Sequence, residues 1–203
     1  MPMEVETKLR IPDERIRDRI LKDEEVLALA MEPFRPIQMD AIYYDTPKRA
    51  LSEKKWTLRL RKENEESIMV FKQMGRMEGA LFQREEYSCP ADTVEVGIEG
   101  LLALGAPTEL RDMGPYVECC RVQFVRNACA LRLEDGSVCE LALDAGQIQV
   151  EKKSEKLLEM EMELLSGDPE EMIKLNHRLK ERHDLLPEFY SKYARALLML
   201  RTR

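Results

Sequence analysis

Glu4, Glu6, Lys8 and Arg10 stand at alternate positions in the stretch MEVETKLRI, residues 3–11. A β-strand presents every second residue to one face, so two carboxylates and two cations would share a side. The same period recurs along the chain. Arg59 and Arg61 share a face opposite Leu58 and Leu60. Lys72 shares one with Val70 and Ile68, and Arg84 shares one with Glu86. Glu140 and Asp144 lie opposite Leu141 and Leu143, and Glu159, Glu161 and Glu163 lie opposite Met160, Met162 and Leu164. Antiparallel sheets often carry charge on a solvated face, but a random wet face mixes signs. Here the signs are sorted. Like-charged neighbours about 7 Å apart on one face cost each other about 2 kcal/mol at an effective dielectric near 20. Sorted sets of both signs call for a ligand that compensates both.

The chemistry of the sets constrains that ligand. Clustered Arg and Lys suit a polyanion, with Arg offering a planar fork to phosphate oxygens. Clustered carboxylates suit one or two hard divalent cations such as Mg²⁺ or Mn²⁺. Together they describe a metal-bound polyphosphate. Neither a P-loop pattern nor Gly-x-Gly-x-x-Gly occurs, so the sequence has no backbone cradle for phosphate. His177 and His183 fall on an expected helix and read as surface or packing residues, not as a catalyst or a zinc site.

The elements that must position these residues can be read from period and punctuation. Strands are expected at 3–11, 37–45, 56–62, 67–73, 81–89, 116–127, 129–135, 137–153 and 156–166. A turn at Gly75 and Gly79 separates two of them, and Asp135-Gly136 marks a hairpin. Helical spacing covers 13–31, with a break near Asp23, and 91–105, closed by Gly105 and Pro107. Asp168-Pro169-Glu170-Glu171 is a helix start that combines a cap, a first-turn proline and acids against the dipole. That helix runs to about Leu185, and a last one begins near Pro187. Many alternating strands with few apolar-faced helices give an α+β fold: a barrel or curved antiparallel sheet with helices outside it. If helices cover the outside, the charged faces point into the lumen.

The chain has 203 residues and reads as one domain, with no repeat, low-complexity tract or linker. Its charged fraction is 35 %, above the usual value of about 25 %. A net charge of −7 argues against nucleic acid or an anionic membrane as partner. Five cysteines without a C-x-x-C pair, two of them adjacent at Cys119 and Cys120, fit thiols in a reducing compartment. With no signal peptide and no spanning apolar run, a cytoplasmic monomer or homodimer is expected.

The pentamer Glu4-Val5-Glu6-Thr7-Lys8 resembles the E-x-E-x-K signature of the CYTH superfamily, the triphosphate tunnel metalloenzymes. YYDTP, LRLR, FKQ, QREEYS, FVRN, LALDAG, EMEMELLSGD and SKYARA follow in the family's order over nearly the whole chain. The portion from LALDAG onward is most similar to the bacterial inorganic triphosphatase branch. The resemblance implies a closed eight-stranded antiparallel β-barrel forming a tunnel, flanked by helices, that hydrolyses a triphosphate with a divalent metal. It implies that Glu4 and Glu6 bind metal with Glu159 and Glu161 opposite, assisted by Glu163 and Asp144. Lys8, Arg59, Arg61, Lys72, Arg126 and Lys192 would hold the triphosphate, Lys192 from a tunnel mouth, while Arg84, Glu86 and Asp144 complete the lining. Glu4, Glu6, Lys8, Glu86 and Asp144 form the implied catalytic set. Arg121 has the opposite parity to Arg126 and competes with it for the inward place. Alternatives to tripolyphosphate hydrolysis are an organic triphosphatase acting on thiamine triphosphate or ATP, an adenylate cyclase, and a polyphosphate-binding module without turnover. Trp56, beside the arginine pair, would either stack an organic group or pack the barrel.

Overall fold

The computed structural model describes residues 3–78 and 81–201. The chain opens with β1 (Met3–Arg10), which Pro12 and Asp13 terminate. The Asp13 carboxylate accepts the Ile16 N–H and starts α1 (Glu14–Ile20). Asp23 caps α2 (Glu24–Leu29) in the same way, so the helical stretch breaks where the sequence indicates. Next come β2 (Arg35–Asp45), α3 (Ala50–Glu53), β3 (Thr57–Glu63), β4 (Glu66–Lys72), β5 (Arg76–Glu78) and β6 (Leu81–Pro90). α4 (Val94–Ala103) and α5 (Glu109–Asp112) lead to the long strands β7 (Val117–Arg132), β8 (Val138–Val150) and β9 (Lys153–Ser166). α6 (Pro169–Arg182), β10 (Leu186–Pro187) and α7 (Lys192–Arg201) complete the chain.

The strand order is β1-β9-β8-β7-β2-β3-β4-β6, and β6 pairs back onto β1. This is a closed eight-stranded antiparallel barrel, which leaves no barrel edge unpaired. Two short strands extend it: β5 on β6 and β10 on β1. Three local expectations are corrected. Residues 116–127 and 129–135 are not two strands but the single β7, whose ladders with β2 and β8 run through Ala128. Pro187 does not open the last helix: Leu186 and Pro187 pair with β1, and α7 starts at Lys192. Between Gly75 and Gly79 the chain forms β5 rather than a simple turn, and Gly79 itself lies outside the described residues.

Helices cover two outer faces. α1, α2 and α6 bury Ile16, Ile20, Val26, Met172, Leu175 and Leu179 against the outward residues Leu141, Leu143, Met160 and Met162. α3, α4 and α5 bury Leu51, Ile98, Leu101 and Leu110 against Leu58, Met69, Phe71 and Tyr87. Each fully buried Leu or Met stabilises the fold by about 1.5–3 kcal/mol. With their apolar sides committed outward, these strands turn their charged sides in.

The third apolar cluster is internal. Tyr193, Ala196 and Met199 of α7 pack on Met39, Ala41, Tyr43, Val122, Phe124, Ile148 and Leu157. Ala41 lies opposite Arg61 and Tyr43 opposite Arg59, so these are lumen-facing positions. α7 therefore stops one end of the barrel. Gly146 lets the wall close there. A Cβ on it would sit 2.1 Å from the Gln123 carbonyl oxygen and 2.5 Å from the Phe124 Cα.

Candidate functional site

The strand period and the barrel closure bring distant charges into one cavity of about 250 Å³. Glu4, Glu6 and Lys8 reach it from β1, Arg59 and Arg61 from β3, and Lys72 from β4. Arg84 and Glu86 enter from β6, Arg126 from β7, Glu161 and Glu163 from β9, and Lys192 from the first turn of α7. Asp144 and Glu159 lie just beneath this lining, both 0 % exposed. Glu63 and Glu140 also line the cavity, giving seven carboxylates and seven cations in its wall. The wall is thus neutral as a whole. It suits a ligand carrying both signs better than a bare polyanion.

The charges divide into two poles. At the base, Lys192 Nζ lies 2.9 Å from Asp144, 2.9 Å from Glu159 and 2.8 Å from Glu161. Arg126 donates to both oxygens of Asp144 at 2.8 Å and to Glu161 at 2.5 Å. Arg195, from the next turn of α7, donates to Glu159 at 2.5 Å, and Lys8 stands 3.0 Å from Glu161. Burial works against charge here, yet Lys192, Lys8 and Arg126 together hold the Glu161 carboxyl well below the usual range. Lys192 is raised well above its ordinary value, because Asp144, Glu159 and Glu161 outweigh its burial.

The other pole is less complete. Lys72 donates to Glu4 at 2.6 Å and contacts Glu86 at 2.5 Å. Arg84 donates to Glu4 at 2.6 Å and to Glu6 at 2.8 Å. Burial opposes ionisation of Glu86, but Lys72 and Arg59 bring its carboxyl down to about 2. Glu163, in contrast, makes no ion pair among the described residues. Its cross-strand neighbours are Glu6 and Glu140. Burial, with Glu4, Glu86 and Glu6 nearby, pushes its carboxyl up to about 7. Across the cavity, Arg59 touches no carboxylate among the described residues. Its Nη1 donates to the Tyr43 hydroxyl at 3.1 Å, and its buried Nε has no hydrogen-bond partner. The Nε of Arg61 is likewise unpartnered, while its Nη2 pairs with Glu63.

A family model of the CYTH domain matches residues 2–197. The chain belongs to the CYTH family. An inorganic triphosphatase of Haemophilus influenzae is 26 % identical over 157 residues, which are 77 % of this chain and 44 % of that protein. This CYTH chain therefore spans less than half of that relative. Among solved structures, a Hippeastrum protein described as an adenylyl cyclase candidate with dominant triphosphatase activity superposes with a TM-score of 0.64. It is 19 % identical, and the match covers 94 % of this chain and 93 % of that one. A Pyrococcus horikoshii protein matches with a TM-score of 0.57 and 22 % identity, over 98 % and 99 % of the two chains. These structural likenesses bear on the fold.

In this CYTH barrel, several sequence expectations take definite positions. Arg126, not Arg121, faces the lumen: Arg121 is exposed and paired with Asp40 on the outer face. Lys192 does not stand at an open mouth. It is 5 % exposed at the end stopped by α7. Glu159 does not face Glu4 and Glu6 across the cavity. Its register neighbours are Arg10 and Asp144, whereas Glu6 lies opposite Glu163. Trp56 packs edge-on against Phe71 in the outer core, away from the cavity. Burial pushes the Cys119 thiol up and the Cys120 thiol to about 12, the opposite of a reactive thiolate. No described helix is long and apolar enough to cross a membrane.

The sequence reading overlooked Arg195, Tyr43, Phe124 and Glu63. For Arg195 a signal exists: it follows Lys192 by three positions, so both share a helix face. Glu140, placed by parity on the charged face with Asp144 but given no role, lines the cavity.

The residues fit a divalent cation at one pole. Glu4, Glu6 and Glu163 supply hard oxygen donors, and Glu163 lacks a cation of its own. The Glu4, Glu6 and Glu163 carboxylates are not drawn together into a cage; among the described residues, the three whose oxygens lie within 4.8 Å of one another are Asp144, Glu159 and Glu161. Between them the Lys192 ammonium is already seated.

Proposed function

We propose that this CYTH protein hydrolyses the terminal phosphate of a triphosphate, inorganic tripolyphosphate first among them, in a divalent-metal-dependent reaction inside the barrel. The observation that supports the reading is one cavity that holds both a carboxyl outside any ion pair among the described residues, Glu163, and two arginines, Arg59 and Arg61, whose buried Nε–H groups have no acceptor. A metal-bound polyphosphate satisfies both at once.

The chain's own residues divide the work. Arg59 and Arg61 offer unsatisfied N–H groups to non-bridging phosphate oxygens. Lys8, Lys72, Arg84 and Arg126 add positive charge around the same space while holding their carboxylates in place. Glu4, Glu6 and Glu163 would hold Mg²⁺ or Mn²⁺. Such an ion, when bound, polarises phosphoryl oxygens and lowers the pKa of a bound water. The cavity wall contains no Cys or His, and its hydroxyls are Thr57, Ser191 and the Arg59-bound Tyr43. This favours direct in-line attack by water over a covalent phospho-enzyme. An inorganic substrate is favoured because the aromatic rings near the cavity are taken. Tyr43 stacks on Tyr193 at 5.2 Å, and Phe124 lies beneath the charged ends of Arg126 and Lys192.

Phosphate release from tripolyphosphate, with Mg²⁺, with Mn²⁺ and with chelator, tests the reading. Metal-dependent turnover, faster than on thiamine triphosphate or ATP at matched metal, is the expected result. No turnover above background with either ion overturns it.

A further inference from the structure

We propose that the ammonium of Lys192 is the resident cation of the Asp144–Glu159–Glu161 triad, filling from within the protein a position that would otherwise take a divalent ion. The proposal deepens the triphosphatase reading and rests on it for one consequence only: a single divalent ion, at the Glu4–Glu6–Glu163 pole, serves the phosphates.

The argument is one of donors and acceptors. A lysine ammonium has three N–H donors and no acceptor. Those of Lys192 go to Glu159 at 2.9 Å and Glu161 at 2.8 Å, and the Asp144 carboxylate stands in ion-pair contact at 2.9 Å. Three carboxylates thus enclose the ammonium. The Phe124 ring closes another side, its centroid 5.3 Å from the ammonium. The triad is also heavily compensated. Its three carboxylates touch four cations, Lys192, Arg126, Arg195 and Lys8, which in turn reach Glu6, Glu140 and Glu155. A divalent ion entering there would have to displace a cation already seated.

α7 holds the ammonium in this position. The Tyr193 hydroxyl donates to the fully buried Asp45 at 3.1 Å and lies 3.0 Å from the Ser52 hydroxyl. Arg195 donates to the Lys156 carbonyl at 2.9 Å as well as to Glu159. Lys192 can leave the triad only if this end of the barrel is unplugged.

The test is a count of bound ions in the absence of any phosphate, so it stands whether or not the protein proves to be a triphosphatase. Equilibrium binding of Mn²⁺ alone, followed by electron paramagnetic resonance or calorimetry, is compared across four proteins. The wild type is expected to bind one ion, and Glu163→Gln to lose or weaken it at least tenfold. Lys192→Met is expected to bind one ion more than the wild type, because the emptied triad becomes a cation site. Glu159→Gln, which keeps Lys192, is expected to bind the wild-type number. Two ions on the wild type, one of them lost in Glu159→Gln, would overturn the proposal. So would an unchanged count in a Lys192→Met protein with the wild-type circular dichroism spectrum. Should Lys192→Met fail to fold, the Glu159→Gln count alone decides. Two ions on the wild type together with turnover would remove this proposal and leave the functional reading standing. One ion without turnover would do the reverse.

Discussion

The two poles of the cavity are built from the same residue types and behave differently. At the base, Asp144, Glu159 and Glu161 are each matched by lysine or arginine at hydrogen-bond distance. At the other pole, Glu163 has only carboxylates as register neighbours, and Arg59 faces it with an unsatisfied Nε. The base is therefore a structural element. Its charges are costly to bury singly but well paired, so removing one member leaves the rest stranded. The far pole is less fully paired, and the proposed metal-bound triphosphate would complete it. On that reading, one barrel uses paired charge for stability and unpaired groups for recognition.

Mutations should separate these two uses. Glu6→Gln, which removes charge from the recognition pole, is expected to cut kcat by roughly 10³-fold, about 4 kcal/mol, with the fold retained. Steady-state phosphate release and circular dichroism check this together. Equal losses of activity and of thermal stability would erase the distinction. Glu159→Ala should act in the opposite sense. It strands Arg195 and Lys192 at the base and is expected to cost about 3 kcal/mol of stability in urea titrations. Arg59→Lys keeps the charge but loses the fork and the Tyr43 contact. It should raise KM by roughly 30-fold, about 2 kcal/mol, and leave the melting temperature near wild type. A conservative change at Arg59 that leaves KM untouched would show that the unpartnered Nε is not a ligand contact.

The smallest effect belongs to a control outside both poles. Asp23 caps α2 and pairs with Arg182 and His183, with Glu25 and Arg178 beside them. Burial pushes its carboxyl up, but the hydrogen bonds from Arg182 and His183 outweigh this and lower it. A lowered carboxylate stabilises the fold above its unfolded pKa, about 3.9, and the contribution fades as pH falls through the folded value. Asp23→Asn should therefore cost about 1 kcal/mol near neutral pH, and the difference from wild type should vanish in strong acid. Turnover should not change. Chemical denaturation at a series of pH values reads the first effect and phosphate release the second.

Much of this arrangement was legible in the sequence because a strand has a rigid period of two. Arg59, Arg61, Glu161 and Glu163 declare their face by what stands opposite them, namely Leu58, Leu60, Met160 and Met162. Parity also separates Arg126 from Arg121, but it cannot say which of the two is inward. That depended on β7 running unbroken through Ala128 and pairing Arg126 with Asp144. Pairing across strands was the part least open to reading. Glu6 meets Glu163 rather than Glu159 because the barrel's stagger, a global property of closure, sets the register. The position of Lys192 was hidden for a similar reason. Sequence locates a helix start, but only packing of Tyr193, Ala196 and Met199 on the lumen wall shows that the helix enters the barrel end.

That stopped end has a consequence for what the protein could process under the proposed function. A barrel open at both ends would let a long phosphate polymer slide through and be cut anywhere along its length. With α7 across one end, a phosphate chain would enter terminus-first and advance no further than the plug. Cleavage would then be confined to the last units of the chain. Both products would leave by a route that does not pass the plug, so departing phosphate and incoming substrate would compete for the remaining access.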